Sequence, residues 1–234
     1  MLPAVRGVID RRILANYRVD PDALRDVLPE PFEPQTVDGW GVGGICLIRL
    51  VDERPRYVPS AFGTTSENAA HRIAVSWDDG DERRTGVYVP RRDTDSRLNT
   101  LLGGRLFAGE YHRASFDSSA TGDRYAVSMH SDDGEVSVSV AGTTTESLPD
   151  DSVFDSVEAA SRFFREGSVG FSPGRTGYDA IELCAFDWAV TPLAVESVSS
   201  SFFEAFPEEN VAFDDALLMT DIAHEWRERE SVCV

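Results

Sequence analysis

Between Gly103 and Ala114 the chain reads GGRLFAGEYHRA, which places Arg105, Glu110, Tyr111, His112 and Arg113 close together. An imidazole has an ordinary pKa of about 6.5, near working pH, so His112 suits general acid–base catalysis. The guanidinium groups of Arg105 and Arg113 carry paired N–H donors that match the two oxygens of a carboxylate or phosphate. The segment reads as the entry to a strand. Alternation then sends Tyr111 and Arg113 to one face and Glu110 and His112 to the other. Such a cluster can bind a small anionic or carbonyl compound. The plainer alternative is a satisfied polar network with no turnover.

Other chemistries are missing their residues. No GxGxxG, GxxxxGK[ST], GxSxG or HExxH occurs, so no nucleotide, serine-hydrolase or zincin signature is present and no cofactor is expected. All 22 basic residues are Arg and none is Lys, which excludes any lysine Schiff base or P-loop lysine. The four histidines (His71, His112, His130, His224) and the widely spaced Cys46, Cys184 and Cys233 lack metal-ligand spacing. No metal site is expected.

Positioning these groups falls to many short strands. Ile13–Tyr17, Gly41–Leu50, His71–Trp77 and Gly86–Val89 read as strands, the last two a hairpin across Asp78-Asp79-Gly80-Asp81. Tyr111–Phe116, Tyr125–His130 and Glu135–Ala141 alternate apolar with polar residues across Asp-containing turns, which predicts an antiparallel meander. Tyr178–Phe186 and Leu193–Ser199 are further strands. Three modest helices are predicted. One opens at Asp20-Pro21, one spans Asp93–Leu102, and one spans Asp155–Glu166 with Asp155 as its cap. His224-Glu225-Trp226 and the charged residues after it read as a solvated tail anchored by Trp226. The expected fold class is mainly β (α+β), a single antiparallel domain over 1–234 with peripheral helices.

The net charge of -19 repels phosphates, so neither nucleic acid nor an anionic membrane is an expected partner. The N-terminal stretch carries Arg6, Asp10, Arg11 and Arg12 and is no signal peptide, and a cytoplasmic location is expected. The carboxylate surplus, with Arg in place of every Lys, fits a salt-loving cell whose ions screen the self-repulsion.

Gly86-Val87-Tyr88-Val89-Pro90, a short helix and then Gly104 to Arg113 resemble the acetoacetate decarboxylase-like superfamily. That family carries a Gly-Arg-Glu segment, a glycine, an aromatic–proline step and two adjacent lysines. Asn16 to Leu24, with Leu28-Pro29-Glu30-Pro31, resembles its N-terminal pattern. Asp187 to Leu193 resembles a lysine-less, uncharacterised branch. The resemblance implies a cone-like β-barrel with an interior cavity, and an assembly larger than a monomer. In the family the first lysine forms a Schiff base and the second depresses its pKa. Those positions are His112 and Arg113 here, so imine-based decarboxylation is not implied. Glu67 falls where the family keeps a cavity glutamate, and it or Glu110 would orient His112. The expected site therefore has His112 and Glu67 as catalytic residues and Arg105, Arg113, Tyr111 and Glu110 as ligand-binding residues. The expected function is a cofactor-free, homo-oligomeric small-molecule-binding barrel with proton-transfer chemistry such as tautomerisation or hydration, a lyase or isomerase. The alternative is a non-enzymatic oligomerisation subunit with a filled interior.

Overall fold

The computed structural model describes residues 4–80, 82–102, 109–174 and 177–229. Arg105 and the Gly104–Ala108 part of the expected site lie outside the described residues, as does Cys233.

Strands dominate, as the alternating patterns predict. In chain order they are β1 (Val5–Val19), β2 (Glu33–Pro34), β3 (Thr36–Val37), β4 (Trp40–Pro55), β5 (Thr64–Asp79), β6 (Glu82–Thr94), β7 (Tyr111–Thr121), β8 (Arg124–Ser131), β9 (Ser137–Thr144), β10 (Val169–Gly174), β11 (Gly177–Ala185), β12 (Thr191–Ser200) and β13 (Val211–Arg229). Among the described residues three short α-helices accompany them: α1 (Pro21–Arg25), α2 (Arg97–Leu102) and α3 (Val157–Glu166).

Pairing is antiparallel except where β6 meets β7 and β10. The pairings form a circuit. From β13 they run through β1, β4, β5, β6, β7, β8, β9 and β12 and return to β13. A shorter circuit leaves β6 through β10 and β11 and also returns to β13.

The sheet has an apolar core on each face, because the central strands are buried on both sides. On the first face Ile13, Ile45, Leu47, Ile73, Met129 and Phe203 pack together. On the second, Leu14, Cys46, Ile48, Leu217 and Ile222 pack with Phe154 and Phe164 from the α3 region. Residues one apart in β1 and β4 thus serve opposite cores.

Several expected boundaries move. Asp93 and Thr94 finish β6, and the helix begins only at Arg97, where the Ser96 hydroxyl accepts from the Asn99 N–H at 3.2 Å. Ser156 rather than Asp155 caps α3, accepting from the Ala159 N–H at 3.1 Å. The Asp20 cap is as expected, with Pro21 at the first turn. The predicted solvated tail is instead the end of β13: it pairs with β1 and β11, and His224 is fully buried. Charged residues alternating with His224 and Trp226 disguised a strand whose apolar side faces inward.

Candidate functional site

On the second face β4, β5, β6, β7, β11 and β13 surround a recessed pocket of about 310 Å³. Its walls are mostly apolar, from Cys46, Ile48 and Leu50 of β4, Ala70 of β5, Ile181 of β11 and Trp226 of β13. Ser66 and Asn68 enter from β5, Arg92 from β6 and Tyr111 from β7. Phe62 and Leu98, 72% and 50% exposed, stand at the rim. The Arg92 guanidinium lies 5.9 Å from the Tyr111 ring centre and donates to the Ser172 hydroxyl at 3.0 Å. Burial raises the Tyr111 pKa above the ordinary phenol value; Arg92 opposes that rise and the Glu53 charge adds to it. The phenol therefore stays protonated at neutral pH, a donor beside a cation.

Glu53 reaches this pocket through a break in alternation. Leu50 already faces it, so an unbroken strand would turn Glu53 away. The register slips between Leu50 and Glu53, and Asp52 sits in the left-handed region at φ 58°. This bulge brings the Glu53 carboxylate back to the pocket wall. His224 of β13 stands behind it, with Nε2 2.8 Å from Glu53 Oε1. Among the described residues, neither Glu53 Oε1 nor either ring nitrogen of His224 is aligned in a hydrogen bond with a protein group. Gly7 of β1, paired with His224, leaves the space that the carboxylate fills.

The other expected residues lie elsewhere. Glu67 is buried on the first face, 2.5 Å from Arg11 and 3.3 Å from Arg49, and it accepts from the Ser118 hydroxyl at 3.0 Å. His112 is partly exposed, with Nδ1 3.3 Å from Asp133. Asp133 also contacts Arg91, which binds the fully buried Asp93; His71 lies 3.6 Å beyond. The Ser131 hydroxyl, the Glu135 N–H and Arg91 hold the Asp133 carboxyl well below the usual carboxylate range. Arg113 donates to the Asp95 carbonyl, and Glu110 is exposed. Of the expected residues, Tyr111 alone among those described lines this pocket, and Glu67 and His112 have separate partners.

Residues 9–207 match DUF2071, a family described as an uncharacterized conserved protein. The chain belongs to the DUF2071 family. No curated protein matches this DUF2071 chain in sequence. In structure it is similar to acetoacetate decarboxylase from Legionella pneumophila, with TM-score 0.67 and 11% identity over 99% of this chain and 88% of the other. It is similar to the enduracididine biosynthesis enzyme MppR complexed with pyruvate, with TM-score 0.63 and 13% identity over 98% and 91%. An acetoacetate decarboxylase-like enzyme from Sphingomonas wittichii RW1 matches with TM-score 0.62 and 14% identity over 99% and 94%. These likenesses show an acetoacetate decarboxylase-like fold.

Sequence reasoning missed Arg92, Glu53 and His224 in this DUF2071 chain. Arg92 stands in Pro90-Arg91-Arg92, where nothing distinguishes the arginine that binds Asp93 from the one that faces the pocket. A signal for Glu53 existed in Val51-Asp52-Glu53, since Asp tolerates the left-handed conformation a bulge needs. No helix among the described residues is long and apolar enough to cross a membrane. Also among them, no three His, Cys, Asp or Glu side chains are grouped to hold a metal ion.

Proposed function

We propose that this DUF2071 protein is a cone-like β-barrel that binds a small carboxylate or carbonyl compound and performs acid–base chemistry on it without a Schiff base. One observation carries the reading: a mostly apolar pocket of about 310 Å³ into which a few polar groups, Arg92, Tyr111, Asn68 and Glu53, converge. A volume of this size suits a small molecule. Arg54 and Arg92 both line the pocket and Arg54 is paired with Asp52, so in the low local dielectric of the apolar wall the Arg92 guanidinium selects for an anion. The circuit of strand pairings and the acetoacetate decarboxylase-like fold support the barrel. MppR, which shares the fold, is complexed with pyruvate, and that supports a compound of this class here. The absence of lysine from all 234 residues separates the chain from imine-based decarboxylation.

Thermal unfolding with pyruvate, acetoacetate and 2-oxobutanoate at millimolar concentrations tests the reading. At least one compound is expected to raise the midpoint, because a ligand that binds only the folded state stabilises it. Arg92→Gln is expected to weaken that effect at least tenfold in ligand concentration. No shift with any of the three, or an equal shift in Arg92→Gln, would remove the support for this pocket.

A further inference from the structure

Glu53 is the unusual group in the pocket. Carboxylates seldom go into apolar walls unless a cation or several donors meet them. Its side chain is only 8% exposed, and the nearest titratable group is an imidazole that is itself fully buried. A backbone bulge at Asp52 and a glycine at position 7 are both needed to place the carboxylate there. Meanwhile the guanidinium of Arg92 and the protonated phenol of Tyr111 lie on the neighbouring wall. A base, a hydroxyl donor and a cation thus face one small space. Proton abstraction next to a carbonyl requires this set: a base for the C–H, a donor for the developing enolate oxygen, and a clamp for the carboxylate.

Resting on the binding reading above, we propose that Glu53 is the catalytic base of an enolisation site for 2-oxo acids, with His224 as its positioning residue. Arg92 holds the substrate carboxylate. The C–H bond beside the carbonyl breaks and its proton passes to Glu53. The C–H electron pair becomes the carbon–carbon π bond, and the carbonyl π pair moves onto oxygen, where Tyr111 donates a hydrogen bond. Return of a proton from Glu53 regenerates the ketone, so the cycle is redox-neutral and needs no co-reactant. His224, 2.8 Å from Oε1, fixes the carboxylate against the wall so that its other oxygen is presented to the ligand.

The test is hydrogen–deuterium exchange at the methyl group of pyruvate in D₂O, followed by proton NMR. The wild-type protein is expected to catalyse saturable exchange above the buffer rate. Glu53→Gln is expected to lower kcat at least 100-fold while pyruvate still raises the thermal midpoint. His224→Gln is expected to lower kcat at least tenfold with KM unchanged, a split that loss of packing alone would not produce. Should the amide variant not fold, Glu53→Asp keeps the charge but draws it back, and a tenfold loss of kcat is expected. Pyruvate that stabilises the wild type without exchanging its protons overturns the enolisation site and leaves the binding reading intact. Exchange at the wild-type rate in Glu53→Gln or Glu53→Asp overturns Glu53 as the base. Failure of pyruvate and 2-oxobutanoate to shift the wild-type midpoint overturns both readings for 2-oxo acids.

Discussion

Arg11 of β1 and Glu67 of β5 meet at 2.5 Å, with both side chains only 7% exposed. Glu67 also contacts Arg49 and Ser118, so its oxygens are occupied. Truncating one member of a buried pair strands the other charge, at a typical cost of about 3–5 kcal/mol. Glu67→Ala is therefore expected to lower the urea-unfolding free energy by that order. Arg11→Met combined with Glu67→Met should recover much of the loss. An unchanged unfolding midpoint in Glu67→Ala would show that the pair contributes nothing to stability.

His112 has its own carboxylate partner, Asp133, and is not among the residues around the pocket. His112→Ala is expected to leave ligand-induced stabilisation within about twofold of wild type, where Tyr111→Phe weakens it; one hydrogen bond is worth about 1 kcal/mol, or roughly fivefold. Isothermal titration of both variants with the same 2-oxo acid checks this. A loss in His112→Ala as large as in Tyr111→Phe would put the imidazole back in the site.

A Cβ at position 7 would strike the Glu53 carboxylate and come within 2.9 Å of the Val51 carbonyl oxygen. The side chain can swing aside, but the backbone cannot. Gly7→Ala is expected to cost about 1–3 kcal/mol, the usual range for overpacking. It should also move Glu53 off the pocket wall. Thermal unfolding and a crystal structure of the variant check the two halves separately.

Burial, with a smaller contribution from Glu204, pushes the Tyr17 phenol up to about 12 from an ordinary 10. The ring is stacked on Phe203 at 4.1 Å and meets Phe213 edge-on. Below pH 10 the phenol is protonated in folded and unfolded chains, and this contribution is fully present. Between about pH 10 and pH 12 the unfolded chain ionises first, so stability falls by about 3 kcal/mol across that window. Tyr17→Phe is expected to flatten the alkaline limb of a stability–pH curve. An identical limb in the variant would assign the loss to other groups.

The charge of -19 leaves many carboxylates repelling one another at low ionic strength. At 0.1 M salt the Debye length is about 10 Å, and near 1 M it is about 3 Å. The thermal midpoint is expected to rise steadily between 0.1 M and 2 M KCl. A flat or falling midpoint would argue against adaptation to high salt.

Much of this architecture is legible in the residues. Alternation in Tyr125–His130 and Glu135–Ala141 specifies β8 and β9, and Asp20-Pro21 specifies the start of α1. Fold likeness was visible in the Gly86–Pro90 and Asn16–Pro31 segments. The site was less legible, for two physical reasons. Period-two patterning cannot show where a bulge such as that at Asp52 reverses a side chain. Nor does a linear string of charges show that β13 closes against β11, which buries His224 while Glu228 and Arg229 remain at the surface. Glu67 and His112 could each be singled out by type, but their partners Arg11 and Asp133 come from distant segments that only the pairing of strands brings near.

The pairing of β1 with β13 joins Val5 to Trp226 and Val19 to Val211. The first of the described strands is thus bonded along one edge to the last of them. The strand circuits can therefore close only once β13 is present to pair with β1. Without β13 that edge of β1 is an unpaired row of donors and acceptors, the kind of edge on which a second copy can pair.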